Sequence, residues 1–166
     1  MPTALLSRPP AVQHPGPRPE VDGPGASSRA WHVLGLLASL VLTALAALTS
    51  KGTGWEWGDP LTELRWYTSG LDSPSTLVQL VGNLALIALP AAFAVRLWPA
   101  LRPLPRLVGA SLAAGAAIEV LQFLLPIGRV VSPLDALLNA VGAIVAALLV
   151  LRVSPATGSR TAPRNS

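Results

Sequence analysis

Residues 107–125 read L-V-G-A-S-L-A-A-G-A-A-I-E-V-L-Q-F-L-L, an apolar run with a single ionisable side chain, Glu119. As an α-helix this run is roughly 28 Å long, close to the ~30 Å hydrocarbon core of a bilayer. Three more stretches of the same kind, 31–48, 77–97 and 134–151, accompany it. Whole-chain composition agrees, since 51% of the 166 residues are hydrophobic, only 12% are charged, and the mean hydropathy is +0.54. A water-soluble domain carries roughly 25% charged residues to clothe its surface, so lipid is the solvent this sequence fits. The expected fold class is therefore all-α: an integral membrane bundle of four transmembrane helices with disordered cytoplasmic tails.

The flanks set the domain boundaries. Residues 1–28 are rich in Pro, Gly and Ser (Pro9, Pro10, Pro15, Pro17, Pro19, Pro24) and lack the apolar periodicity that would offset the entropy of ordering. They are expected to form a disordered cytoplasmic tail, followed by a transmembrane domain over 29–153 and a second cytoplasmic tail over 154–166. Lys51 and Gly52 close the first span, Pro99 and Pro103 separate the second from the third, and Pro126 with Gly128 makes the last turn. Between the first two spans, Trp55, Trp57, Trp66 and Tyr67 lie beside Glu56, Asp59, Glu63 and Asp72. Aromatics in such a setting favour the headgroup region, so this loop is expected along one membrane face.

Charge sets the orientation. The +4 balance comes from 11 arginines and one lysine, Lys51. With the N-terminus inside, Arg8, Arg18, Arg29, Arg96, Arg102, Arg106, Arg152, Arg160 and Arg164 fall on the cytoplasmic side, against Lys51, Arg65 and Arg129 outside. This is a positive-inside pattern with both termini cytoplasmic at the cell membrane, and it accounts for the basic residues without a nucleic-acid partner. The absence of cysteine excludes disulfides, thiolate metal sites and a cysteine nucleophile. No Gly-rich phosphate loop, G-x-S-x-G elbow or H-E-x-x-H sequence occurs, and neither a metal nor a cofactor is expected.

The informative residues are the polar ones inside the spans, where an ionisable group costs at least about 2.5 kcal/mol. Glu119 and Gln122 are three apart on one face of the third span, Asn83 interrupts the second, and Asp135 and Asn139 share a face of the fourth. Counting rise from the outer ends places Asn83, Glu119 and Asn139 about 9, 9 and 7.5 Å deep, in one layer. Arg129, in the short connection above that layer, is within reach of Glu119 or Asp135. The expectation is a small polar pocket open to the outer side, with Glu119 and Asp135 as acid–base candidates and Asn83, Gln122, Arg129 and Asn139 as ligand-binding candidates. Structural roles compete with this reading. Ser132, Pro133 and Asp135 form an S-x-x-D capping box, the asparagines are able to glue helices together, and Gly82, Gly109, Gly115 and Gly142 suit close helix contact. Ser39, Thr43 and Thr49 are expected to bond their own helix backbone.

The ordered set from Asn83 through Pro90, then I-E-V-L-Q with Glu119 and Gln122, then G-R-V-V-S-P-L-D-A-L-L-N-A-V-G, resembles the VanZ-like family of small bacterial membrane proteins over about residues 77–151. The sequence departs from that pattern at Ser132, where the family commonly has an acidic residue shortly after its arginine, and in the longer gap before Pro90. The resemblance implies a role at the bacterial cell envelope, the founding member being associated with resistance to the glycopeptide teicoplanin. The function expected is lowered sensitivity to such antibiotics through binding of an outer-leaflet membrane lipid or lipid-linked cell-wall precursor. Two other classes stay open: a membrane enzyme on a lipid-linked substrate with Glu119 as acid or base, and an assembly protein whose polar layer only holds the bundle. Homo-oligomerisation stays open as well.

Overall fold

The protein was analysed as a computed structural model, which describes residues 25–153. In chain order the elements are α1 (Gly25–Leu48), β1 (Gly54–Trp57), α2 (Pro60–Ser69), α3 (Pro74–Leu86), α4 (Ala88–Leu97), a 3-10 turn (Pro99–Leu101), α5 (Leu104–Leu124), β2 (Ile127–Val131) and α6 (Pro133–Val153). Four stretches are long and apolar enough to cross a bilayer: Ser27–Leu48, Pro74–Leu97, Leu104–Leu124 and Pro133–Val153. Their outer faces expose Leu37, Val78, Val120 and Leu149, which suits hydrocarbon rather than water. The chain is an α-helical, multi-pass membrane bundle. The helix α1 already includes 25–28, the end of the expected tail, while the rest of that tail and the tail at 154–166 lie outside the described residues.

The second span is broken in the middle, and the sequence explains where. Pro90 lacks an amide hydrogen and its ring displaces the carbonyl four residues earlier, that of Leu86. The helix breaks at Ile87, and the freed Leu86 carbonyl accepts a hydrogen bond from Thr43 Oγ1 of α1 at 2.7 Å. Lipid offers no replacement partner, so the neighbouring helix supplies one. Thr43 thus bonds across helices, contrary to expectation, whereas Ser39 bonds Leu36 O within α1 at 2.8 Å. Thr49 bonds Leu45 O, also within its own chain segment.

Helix association in lipid rests on close packing and hydrogen bonds, because burying apolar surface gains little when the solvent is itself apolar. Two of the four glycines expected at contacts serve that purpose. A Cβ at Gly115 would run into the backbone carbonyl of Ala136, and one at Gly142 into that of Leu84, so α5 and α3 each touch α6 through bare backbone. At Gly82 and Gly109 a Cβ would meet nothing within 4 Å. Those two glycines leave room instead of making contact.

The connections at one end are more structured than the sequence reading expects. The strands β1 and β2 pair in parallel, flanked by Lys51 N donating to Ile127 O at 2.8 Å and Gly58 N to Val131 O at 2.9 Å. The register slips between Gly54 and Trp55, and the extra residue on β2 is Gly128, at φ +68°. This is a glycine bulge, and a Cβ there would also come within 2.6 Å of the Gly52 backbone. The turn expected at Pro126 and Gly128 is confined to Leu125 and Pro126, and Gly128 belongs to the strand that leads into α6. The other end of the bundle is closed by an apolar core of Val95, Leu107 and Ala147, packed with Leu101, Ile144, Leu148 and Leu151.

Candidate functional site

The helix α6 begins where β2 ends, and its first turn organises the site. Ser132, fully buried, accepts hydrogen bonds at Oγ from Leu134 N at 3.1 Å and Asp135 N at 3.3 Å, as an N-cap should. The return half of the expected capping box is absent. The Ser132 amide donates to Glu119 Oε2 of α5 at 2.9 Å, which leaves the Asp135 carboxylate free for other partners. Asp135 Oδ1 accepts from the Tyr67 hydroxyl at 2.9 Å and Oδ2 from Gln79 Nε2 at 3.4 Å, while Asn83 Nδ2 donates to the same Tyr67 oxygen at 3.2 Å. One membrane carboxylate thus holds α2, α3 and α6 together.

The end of α1 contributes acceptors. The last carbonyls of a helix have no partner within it, and here Ala46 O accepts from Arg129 Nη2 and Ala47 O from Gln122 Nε2, the latter at 3.1 Å. The guanidinium also sits favourably at the negative end of the α1 dipole. Arg129 forms no ion pair with Glu119 or Asp135 among the described residues, so the pairing that its position suggests is replaced by a helix cap.

These contacts enclose a cavity of about 490 Å³. All six candidates, Asn83, Glu119, Gln122, Arg129, Asp135 and Asn139, line it, together with Lys51, Gln79 and Gly82. Among the described residues, two buried polar atoms of residues in its wall have no hydrogen-bond partner, Arg129 Nε and Asn139 Oδ1. Asn139 is only 1% exposed, and an orphaned polar atom at that depth costs about 1–3 kcal/mol. Two of the residues lining the cavity thus carry an unsatisfied donor and an unsatisfied acceptor. Glu119 also keeps Oε1 without a partner among the described residues. No group of three His, Asp or Glu side chains with metal-site geometry occurs among the described residues.

The sequence reading passed over Gln79, took Glu63 and Tyr67 as residues of a headgroup-face loop, and took Ser132 only as a helix cap. The helix α2 carries Glu63 and Tyr67 onto the cavity end, where the Ser132 hydroxyl donates to Glu63 Oε2. Tyr67 is buried against Asp135 instead of lying at a membrane surface with the other loop aromatics, of which Trp57 and Trp66 are exposed. Its start was legible in D-P-L-T-E: Asp59 is the N-cap, accepting from Thr62 N at 2.9 Å, and Pro60 is the first helical residue. The bonds from Thr62 hold the Asp59 carboxyl below its ordinary range, and burial pushes the Tyr67 phenol upward, keeping it protonated as a donor to Asp135.

Glu63 supplies a pH dependence. Its loss of hydration raises the carboxyl above the usual range, outweighing the stabilising bond from Ser132, and Asp135 and Asp59 add to the rise. A carboxyl that binds its proton more tightly in the docked state stabilises docking at low pH and loses that contribution as pH rises through the docked value. Protection of the α2 amides against hydrogen exchange, corrected for intrinsic rates, is therefore expected to fall as the pH rises above the ordinary carboxylate range. Glu63→Gln flattens that slope, and a slope that persists in the variant contradicts the assignment.

Fold and cavity define a class: a small polytopic membrane protein with a polar chamber built into one end of its helical bundle. The sequence signature of the VanZ/LLP1 family matches residues 28–154, and the chain belongs to that family. No curated protein and no solved structure matches it.

Proposed function

We propose that this VanZ-family protein acts at the bacterial cell membrane, with both termini cytoplasmic and its polar chamber facing outward. There it binds the oxyanion head of an outer-leaflet amphiphile, a membrane lipid or lipid-linked wall precursor, and so lowers sensitivity to teicoplanin-type glycopeptides. The observation that carries this reading is the pair of orphaned atoms in the chamber wall, Arg129 Nε and Asn139 Oδ1. A guanidinium nitrogen is the donor suited to a phosphate or carboxylate oxygen, and the asparagine carbonyl is an acceptor for a hydroxyl or amine on the same head. Glu119 Oε1 provides a second acceptor in the same chamber.

A second reading, a membrane enzyme, draws support from the same carboxylate. One oxygen of Glu119 is fixed by the Ser132 amide and the other has no partner among the described residues, the arrangement of an oriented acid or base. Glu119→Gln separates the two readings while retaining the bond from Ser132 through its amide oxygen. The variant is expected to lose the teicoplanin tolerance that the unmodified chain confers on a sensitive host, at equal membrane abundance. Retained binding of a lipid-linked substrate alongside lost tolerance favours the enzyme, and weakened binding favours the receptor. Unchanged tolerance contradicts both.

A further inference from the structure

Gly82 is a cavity-facing glycine with no contact to explain it. It borders the polar chamber, yet a Cβ added there would meet no heavy atom within 4 Å, so its smallness is not needed for helix packing. It also borders a second space. A groove of about 250 Å³ runs between α1 and the α3–α4 pair, and its wall shares Ala46, Gly82 and Leu86 with the chamber. The same groove shares Pro90 with an apolar pocket of about 280 Å³ beyond it. Gly82 lies on α3 and Pro90 on α4, on either side of the break at Ile87. The walls turn apolar along the way, with Leu89 and Leu42 exposed at the groove's side, where the bundle faces hydrocarbon.

A chamber with unmatched polar atoms that shares a bare glycine with a mainly apolar groove on the lipid-facing side matches an amphiphile in outline. We infer that the furrow between α1 and the α3–α4 pair seats an alkyl chain of the lipid whose head enters the chamber, and that Gly82 is the neck through which head and chain are joined. This rests on the reading of the chamber as a head site. The occupant is a membrane lipid with an exposed phosphate, entering sideways from the bilayer. A larger residue at 82 projects into the empty neck, blocks the joint, and leaves protein contacts and helix propensity undamaged.

The absence of native cysteine allows a clean probe. The full chain carrying Leu89→Cys, labelled with a fluorophore, is placed in phosphatidylcholine nanodiscs doped with a lipid bearing a nitroxide on its acyl chain. The doped lipid is either phosphatidic acid or phosphatidylcholine. The phosphatidic acid is expected to quench the groove fluorophore with roughly fivefold preference, the size of one basic-residue contact to an anionic head. Gly82→Leu removes the preference, and Gly109→Leu, at a second uncontacted helical glycine, keeps it. Equal quenching by both lipids, a preference that survives Gly82→Leu, or a loss in Gly109→Leu as well overturns the proposal. Arg129→Gln tests the head reading separately: if it leaves the preference intact while Gly82→Leu abolishes it, the furrow stands and the role of Arg129 falls.

Discussion

An alanine at Gly142 is expected to cost the bundle about 1–3 kcal/mol, seen as a lower thermal midpoint in detergent and reduced accumulation in the membrane. The added methyl lands on the carbonyl of Leu84, a backbone group that cannot swing aside as a side chain does. The helices α3 and α6 must then separate, and the damage spreads because Asn83 and Gln79 on α3 and Asp135 and Asn139 on α6 line one chamber. The same substitution at Gly109 meets open space and gains about 0.5–1 kcal/mol from helix propensity. Opposite signs at two helical glycines are the signature of contact at one and none at the other. Equal effects at both contradict this account of α3–α6 packing.

Asn139→Leu is expected to do the reverse, raising stability by about 1–3 kcal/mol while abolishing function. Asn139 is essentially inaccessible and its Oδ1 has no partner among the described residues, so an apolar side chain of comparable size removes a penalty and no hydrogen bond through that atom. Interhelical glue predicts the opposite, because removing a bonded asparagine strands its partner. Stability given up at a site is the usual mark of a group kept for a ligand. The thermal midpoint of the variant beside that of the unmodified chain reads the sign directly.

The spans were legible because they depend on length and apolar content alone. The run at 134–151 extends to Pro133–Val153 in the structure, and 107–125 corresponds to Leu104–Leu124. The polar layer was legible for a related reason: Glu119, Asn83 and Asn139 are conspicuous against apolar neighbours, and all three line one cavity. The elements outside the spans were not. Short segments such as G-W-E-W and I-G-R-V-V carry too few positions for a period to emerge, and their parallel pairing joins residues far apart in sequence. The helix α2 announces its start through Asp59 and Pro60, but nothing local says that Glu63 reaches Ser132, 69 positions away, or that Tyr67 reaches Asp135. Arg129 shows a further limit. Its charge suggests an acidic partner, yet the free carbonyl at the end of α1 is nearer and serves. Nor does sequence distinguish a glycine that touches, such as Gly142, from one that leaves space, such as Gly82.

The central claim is that the polar chamber is a working ligand site. It is tested most directly by measuring teicoplanin tolerance in a sensitive host expressing either the unmodified chain or Asn139→Leu, with membrane abundance matched by immunoblot. The account predicts tolerance from the unmodified chain and none from the variant, although the variant is at least as stable and as abundant. Equal tolerance from both chains contradicts it, for the buried, unpartnered amide would then serve no ligand.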